Sequence, residues 1–365
     1  MAKTLSQIIG WENLTGVIQD PKGGIPADIL PPEFVTPSRQ VMGNAVTYYK
    51  VAGNRQTARL AQYGSPSQRR TLTGVTEATA IMLHAAEHIV HKPDTLEMLR
   101  DFDNPMRQKM GEQLVAQQTA QFARLYSNLR LATVYQALAS GNLWFDNNGN
   151  LLPTSTGAAV TVNYGVPSGN TGQLNVFGTG NLLTAGWETA STNIATQVKK
   201  VKQAAVQLSG YPLKHAFYGV NVLGYLSSNT TLQTLIRGNP GFSQQFLQQE
   251  IPDGFLGLDW HPVENAFYAD QNGNIQTFFG PDTVVFTPDP DPEWWEFVEG
   301  SYPVPTDIMV KPDMESALQT FANAFGKFSY GVITVDPPGV KQVAGDNFLP
   351  LLKVARAIFQ ANVNF

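Results

Sequence analysis

An uninterrupted helical pattern between residues 105 and 140 constrains this chain more than any other feature. Asp103 or Asn104 can cap its N-terminus, Pro105 stands in the first turn, where proline is tolerated, and Gly141 supplies a stop. At about 1.5 Å per residue, these roughly 36 residues give a helix ~54 Å long, which predicts an elongated lobe. Apolar residues recur in steps of three, four or eight, and they predict one apolar stripe formed by Met106, Met110, Leu114, Phe122, Leu125, Leu129 and Ala132.

The segments on either side of this helix have the character of strands and turns. Residues 1–40 are rich in Pro and Gly and have no sustained period, so they predict an extended arm. Residues 41–72 contain the β-favouring pieces VTYYKV and RRTLT, which predict a long two-stranded excursion. After the helix, NLWFDNNGNLLP predicts a hairpin that turns at Asn148-Gly149, and VTVNYGVP continues the strand character.

The second half of the chain predicts a mixed set of shorter elements. A second amphipathic helix is expected to open at Trp187 and to end at Gly210, with an apolar face formed by Ile194, Val198, Val201, Ala205 and Leu208. HAFYGVNVLGYL, NTTLQTLIRG and FSQQFLQQE predict a short strand and short helices. A further hairpin is expected around Asn272-Gly273, followed by strands in VVFTP, YGVITV and the apolar run from Phe348. The whole pattern predicts an α+β fold.

Composition narrows the class of protein. A chain of 365 residues can bury a substantial core in two or three lobes, and only 15% of its residues are charged. It has no cysteine, which excludes disulfides, thiol chemistry and cysteine-containing zinc sites. The absence of a signal-peptide pattern and of a long apolar run predicts cytoplasmic synthesis and no membrane span. The net charge of −5 argues against a protein that coats nucleic acid with basic side chains.

Charge is separated along the chain. Residues 41–73 carry only basic charges, whereas residues 238–307 carry only Asp and Glu, five of them within the stretch TPDPDPEWWEFVEGS that begins at Thr287. Complementary fields of this kind can steer and register an association between two surfaces. The alternative is that both segments are ordinary solvated faces.

Two motifs suggest chemistry. His84-Ala-Ala-Glu87-His88 has the HxxEH spelling of an inverted zinc-peptidase motif, in which a helix presents both imidazoles, and His91 would share that helical face. The flanking residues suit a strand equally well, and on a strand Glu87 would point away from His84 and His88. Trp294 and Trp295 could instead form the platform of a carbohydrate-binding or adhesion module, and the carboxylates beside them could bind a cation, although no calcium-loop spacing is present. No phosphate-binding loop, dinucleotide fingerprint or nucleophile elbow occurs, so we predict no cofactor and no catalytic residue.

The order of these parts resembles the lambda-type major capsid proteins of tailed bacteriophages. The resemblance rests on the arm, the basic two-stranded excursion, ATAIMLHAAEHIVHK, the long helix, and NLWFDNNGNLLP followed by VTVNYGVP. The Trp187 helix and the segments GLDWHPVENAFYADQNGNIQTFFGPDTVVFTP and WWEFVEGSYPVP extend it over nearly the whole chain. It depends on the order of elements, because that family has no catalytic motif.

The resemblance implies a Hong Kong ninety-seven type capsid fold with defined parts. These would be an N-terminal arm (1–40), an E-loop (41–74), a peripheral domain (75–184) with a spine helix (105–140) and a β-hairpin, a mainly axial domain (185–340) with return strands, and a C-terminal strand segment (341–365).

The same resemblance implies a structural function. The chain would self-assemble as hexamers and pentamers into the icosahedral shell of a virion, enclosing double-stranded DNA without sequence-specific contact. Its partners would be a scaffolding protein, a portal protein and a decoration or cementing protein.

In this family the E-loop lies across a neighbouring subunit, which gives the charge separation a meaning. We therefore expect intersubunit contacts between a basic set, Lys50, Arg55, Arg59, Arg69 and Arg70, and an acidic set, Asp289, Asp291, Glu293 and Glu296.

Overall fold

The computed structural model of the chain describes residues 11–19, 30–51, 75–91, 93–100, 104–238, 244–246, 251–252, 254–263, 267–269, 273–305, 321–335 and 338–365. The helices are α1 (Trp11–Gln19), α2 (Pro93–Arg100), α3 (Pro105–Ser140), α4 (Ile194–Leu208), α5 (Val222–Ser228) and α6 (Thr230–Arg237). None of the helices in these ranges is both long and apolar enough to span a membrane.

Strands make up much of the remainder, so the predicted α+β class is confirmed. In the first half they are β1 (Arg39–Val41), β2 (Ala45–Val51), β3 (Val75–Ile81), β4 (Leu83–His91), β5 (Asn142–Phe145), β6 (Leu151–Leu152), β7 (Val160–Asn163) and β8 (Thr171–Gly172). In the second half they are β9 (Leu213–Tyr218), β10 (Asp259–Pro262), β11 (Phe267–Ala269), β12 (Ile275–Thr277), β13 (Thr283–Pro288), β14 (Trp295–Pro305), β15 (Phe321–Phe325), β16 (Phe328–Val335), β17 (Pro338–Leu352) and β18 (Phe359–Asn362).

The long helix α3 has the predicted bounds, and local signals explain both ends. Asn104 is the N-cap: its side-chain oxygen accepts a hydrogen bond from the Arg107 backbone N–H at 3.3 Å. At the other end Gly141 adopts a left-handed conformation with φ of 67°, and its N–H donates to the Ala137 carbonyl. A side chain at Gly141 would also collide with Val166.

The predicted apolar stripe of α3 is confirmed at Ala132, which is buried, but is wrong at its exposed methionines and at Leu125. Met106 is 77% exposed, Met110 58% and Leu125 44%, while Phe122 and Leu129 are only partly buried. The buried face of the first turns is mixed in polarity and includes Gln108, Gly111, Val115, Thr119, Ala123, Tyr126, Ser127 and Arg130. The rotation of the helix is set by its polar partners on the sheet. Because part of the buried face is polar, the periodicity of apolar residues does not reveal it.

One sheet is organised around the long strand β17. Along one edge β17 pairs antiparallel with β4, and along the other it pairs first with β16 and then with β14. β1 adds to β14 in parallel, and β15 pairs with the far end of β14. The residues of β14 and β17 alternate between two covered faces, so this sheet is the middle layer of a three-layer structure.

The two faces of that sheet are covered by different elements. Phe297 and Phe348 belong to the core cluster that contains the C-terminal half of α3. Val298, Leu349 and Leu351 face the other way and pack with Val46, Tyr48 and Met82 at the base of the β2–β3 ribbon. The ribbon and α3 therefore lie on opposite faces of one sheet.

The first strand of the predicted two-stranded excursion, VTYYKV, is confirmed by β2, whereas the predicted second strand, RRTLT, lies outside the described residues. β2 and β3 pair antiparallel from Ala45 opposite Ile81 to Val51 opposite Val75, without pairing to another described strand. β3 extends the paired ribbon beyond the 41–74 segment predicted from the sequence. Residues 52–74, which connect its two strands, lie outside the described residues.

A second lobe contains the sheet ordered β10-β9-β13-β18-β8. Helix α4 packs on one face of this sheet through Ile194, Val198, Val201 and Ala205, in the core with Tyr218 and Phe286. Phe217 and Val285 point to the opposite face and join the core that contains α3. Strand β18 lies inside this sheet, between β13 and β8.

Other sequence predictions have mixed outcomes. Both hairpins are confirmed, by β5–β6 and by β11–β12. Helix α4 starts at Ile194 with Asn193 as its cap, not at Trp187, whose buried indole donates to Gln197 at 2.8 Å. The 1–40 segment includes the helix α1, which periodicity did not reveal.

Replacement of Gly141 by Ala tests the end of α3. The left-handed backbone costs a non-glycine residue about 1–2 kcal/mol, and the clash with Val166 adds about 1–3 kcal/mol of overpacking. Gly157 has a similar φ of 81° with open space around it, so Gly157→Ala is the matched control. In denaturant unfolding, Gly141→Ala should lose clearly more free energy than Gly157→Ala; equal losses would contradict the packing argument.

Candidate intersubunit site

The HxxEH motif lies on a strand, so the metallopeptidase geometry is wrong. Along β4 exposure alternates, with His84 and His88 on the exposed face and Glu87 on the other. The His84 ring stacks on Tyr302 with centroids 4.8 Å apart, and burial lowers its pKa. In the ranges that the structure describes, no group of three His, Asp or Glu residues could hold a metal ion.

The paired tryptophans are core residues, which removes the proposed carbohydrate platform. Trp294 is 0% and Trp295 2% exposed. Trp294 Nε1 donates to the Asp289 carbonyl at 2.7 Å, and Trp295 Nε1 donates to the Phe34 carbonyl at 3.1 Å. Trp294 precedes β14 in a turn, and both rings pack around Phe34.

Two of the four predicted acidic residues have basic partners within their own chain. Glu296 is buried, with its carboxylate 3.4 Å from Arg39 Nε and 2.9 Å from Lys353 Nζ. Asp289 is more exposed and lies 3.0 Å from His215 Nε2 and 2.9 Å from Lys214 Nζ. The hydrogen bond from His215, followed by that from Lys214, lowers the pKa of Asp289.

In the acidic segment, residues 287–301, the carboxylates of Asp291 and Glu293 are exposed. Neither has a basic partner among the described residues. Asp291 Oδ1 accepts a hydrogen bond from the Glu293 backbone N–H at 2.7 Å, and Glu293 Oε2 accepts one from the Tyr211 hydroxyl at 2.9 Å. Burial and then this contact with Glu293 raise the pKa of Tyr211 to about 12. Both carboxylates retain acceptor capacity toward solvent, so they are the pair available to a cation from outside.

The basic set is described only at its first member. Lys50 Nζ donates to the Asn163 carbonyl at 3.1 Å, and burial lowers its pKa. This contact ties the ribbon to the end of β7 in the same chain. The arginines of the set, Arg55, Arg59, Arg69 and Arg70, lie outside the described residues.

A buried charge cluster that the periodicity of the sequence did not indicate joins α3 to the β17 sheet. Arg130 on α3 donates from Nε and from one terminal nitrogen to the two carboxylate oxygens of Asp346 on β17, both at 2.6 Å. The same guanidinium lies 2.9 Å from Glu299 on β14. Its carbon is also 5.3 Å and 5.4 Å from the ring centroids of Phe297 and Phe348. The only sequence signal was Asp346, the lone acid of β17.

Lys327 completes this cluster as its second cation. It follows β15 in the turn to β16, and its ammonium donates to the Ser127 hydroxyl on α3. Burial, followed by repulsion from Arg130, lowers its pKa to about 8. The neighbouring Gly326 has φ of 64°, and a side chain there would strike Glu299 and Arg130. Two cations and two carboxylates thus form a balanced set within the protein interior.

Comparison with known proteins identifies the fold. No model of a known protein family matches the chain, and no curated protein matches it. A protein described as a capsid protein of a prophage of Escherichia coli CFT073 has a similar structure, with a TM-score of 0.50, 12% identity and 80% of each chain covered. A phage-related protein from Bordetella bronchiseptica RB50 also has a TM-score of 0.50, with 11% identity and 97% of each chain covered.

The chain has a phage capsid protein fold. At this identity the likeness concerns architecture alone, so side-chain roles must come from this chain's own geometry. Within this capsid fold, α3, the β17 sheet and the β2–β3 ribbon are successive layers. The contact between the basic set and the acidic segment stays a prediction.

Lys327 predicts a specific pH dependence of stability. Its pKa of about 8 in the folded chain lies below its usual value of 10.5, so the unfolded chain binds more protons between these values. The buried, charged Lys327 therefore lowers the free energy of unfolding by a constant amount below about pH 8. This destabilisation decreases as the pH rises toward 10.5. Between pH 7 and pH 10 this recovery should be about 2 kcal/mol.

The measurement is urea unfolding of the wild type and of Lys327→Met at both pH values. The substitution should remove this rise with pH, while other titrating groups affect both proteins alike. An identical pH dependence in the two proteins would show that Lys327 is not held in a destabilised charged form.

Proposed function

We propose that this chain is the major capsid protein of a tailed double-stranded DNA bacteriophage and that it self-assembles as hexamers and pentamers into an icosahedral head. The observation that carries the proposal is the capsid fold over nearly the whole chain, with a two-stranded ribbon layered on the sheet opposite α3. A protein built to form shells needs contacts that repeat from copy to copy, and the segment of residues 41–73, whose charges are all basic, can supply one such contact.

The domain roles follow the same proposal. Residues 1–40 act as the N-terminal arm and 41–74 as the E-loop, with 75–184 forming the peripheral domain. Residues 185–340 form the mainly axial domain, and 341–365 are the C-terminal strand segment. Helix α1 belongs to the proposed arm, and it docks on its own subunit, where the Thr15 hydroxyl contacts the backbone N–H and carbonyl of Ser329, both at 3.0 Å.

The burial and ion pairs of the acidic set support Asp291 and Glu293 as the residues that receive the neighbour's arginines. Glu296 is buried between Arg39 and Lys353, and Asp289 is engaged by His215 and Lys214. Asp291 and Glu293 therefore make the direct contacts, and the other two carboxylates contribute to the local field. Each exposed ion pair contributes only about 0–1 kcal/mol, but a closed shell repeats it in every copy.

The remaining partners are those of a shell protein. A scaffolding protein assists assembly, a portal protein occupies one vertex, and a decoration or cementing protein can bind outside. The chain is synthesised in the bacterial host and functions in the virion. Its net charge of −5 suits a container that encloses DNA without gripping it.

Sedimentation and negative-stain microscopy of the purified wild-type chain, alone and with its scaffolding protein, test this function. Rings, tubes or shells support it. A chain that remains monomeric under both conditions would overturn it.

A charge swap tests the proposed contact itself. Arg69→Glu/Arg70→Glu should reduce assembly at least tenfold at moderate salt, because attraction becomes repulsion at every ribbon contact. Adding Asp291→Lys/Glu293→Lys to the same chain should restore much of the assembly, since the opposite charges meet again.

Circular dichroism and thermal unfolding of each variant provide the folding control. Normal assembly of Arg69→Glu/Arg70→Glu, or failure of the fourfold variant to recover despite a native fold, would remove these residues from the interface.

A further inference from the structure

Helix α4 carries a concentration of positive charge. It carries Lys199, Lys200 and Lys202 and no Asp or Glu. Lys199 and Lys200 are exposed, and no carboxylate in the described part of the chain lies within ion-pair distance of either. The segment from residue 238 to residue 307, which supplies much of the same lobe, has no Lys or Arg.

A strained turn stands beside this helix. Leu256 has φ of 55°, in the left-handed region that costs a non-glycine residue about 1–2 kcal/mol. Lys202 Nζ donates to the carbonyls of Leu256 and Gly257, at 3.2 Å and 3.0 Å. Strain of this kind persists where surrounding contacts enforce it, and it often marks a functional surface. Lys202 thus fixes the turn against α4.

An open groove of about 710 Å³ lies between the turn and α4. Its lining combines apolar side chains with lysines and amides, from Ala195, Lys199, Lys202, Gln203, Val206 and Leu256. The turn leads into β10, the edge strand of the sheet, so the groove lies toward that edge.

Exposed negative charge lies on the other side of β9. Asp282 precedes β13, and its Oδ1 accepts hydrogen bonds from Asn221 at 2.9 Å and from the Tyr225 hydroxyl at 2.7 Å. Tyr225 also contacts Asn364, just after β18. The exposed Glu188 adds its charge here: the pKa of Tyr225 is raised, first by Asp282 and to a smaller extent by Glu188. Neither carboxylate has a basic partner in the described ranges.

We infer that the α4 groove of one copy receives the Glu188–Asp282 surface of the next copy, in a head-to-tail contact that builds the ring. The inference rests on the proposed shell function and names the contact within one capsomer. A ring requires two different, complementary patches on separate sides of the same subunit, and the sheet order β10-β9-β13-β18 separates these two. The groove's apolar lining excludes water from the lysine–carboxylate contacts and strengthens them.

Nucleic acid is the less suitable occupant of this groove. Phosphate-binding surfaces use basic and hydroxyl or amide side chains against a polar backbone. Here Ala195, Val206 and Leu256 provide apolar contacts that a phosphate backbone cannot use.

Charge reversal at Lys199 tests the contact in the full-length chain. Lys199→Glu should lower the fraction in rings or shells at least tenfold at equal concentration, whereas Lys109→Glu, the same change at an exposed lysine on α3, should leave it within twofold. Lys199→Glu with Glu188→Lys should recover most of the loss. Circular dichroism and thermal unfolding check that each variant folds.

Three results would overturn the inference. The first is a Lys199→Glu variant that assembles as well as the wild type. The second is a natively folded Lys199→Glu/Glu188→Lys variant whose assembly does not recover. The third is unchanged assembly with at least tenfold weaker binding of double-stranded DNA, which would assign the groove to nucleic acid. Failure of the wild type to assemble would instead refute the proposed function, so the two failures are distinguishable.

Discussion

The buried pairing of Arg130 with Asp346 is the contact on which the layered structure depends. Two charge-assisted hydrogen bonds of 2.6 Å join the middle of α3 to β17, and Glu299 ties the same guanidinium to β14. Removing a charge from water is expensive, and loss of one partner from a buried pair typically costs about 3–5 kcal/mol. The helix is therefore fixed in one rotation and one position along the sheet, even though that rotation leaves Met106 and Met110 exposed.

The position of α3 determines which elements cover each face of the sheet. Phe297 and Phe348 pack toward α3, so Val298, Leu349 and Leu351 are left for the ribbon. The base of the ribbon is thereby anchored on its own subunit, at the face away from the helix. Only the segment beyond Val51 and Val75 carries the arginines that the proposed function assigns to a neighbour. An anchored ribbon base connected to an all-basic segment suits a contact that repeats around a shell.

Local signals in the sequence predicted much of the fold. Asn104 and Gly141 determine the ends of α3 through their own backbone chemistry, and glycine-containing turns predicted both hairpins. Long-range contacts escaped prediction. The buried face of α3 is chosen by Arg130 and by Thr119, whose hydroxyl accepts from Gln342 on β17, and these partners lie far away in the chain.

The candidate site was predictable only in part, for the same reason. Charge separation indicated an acidic surface, but only the structure shows that Glu296 is buried between Arg39 and Lys353. Of the two structures that the sequence allowed for the HxxEH motif, the strand is the one observed. Alternation along β4 therefore places Glu87 on the face opposite His84 and His88. The α4 groove depends on Lys202 meeting a turn that is distant in sequence, so no local pattern could reveal it.

The most direct measurement of the central claim is site-specific cross-linking between copies, for which a chain without cysteine is well suited. Arg69→Cys and Glu293→Cys are made in separate chains that carry different tags, co-assembled, and treated with a short thiol-specific cross-linker. The account predicts mixed dimers that contain one chain of each kind, formed in assembled particles and absent from the unassembled fraction. Particles that form without such dimers, together with an internal cross-link in a chain carrying both cysteines, would contradict it.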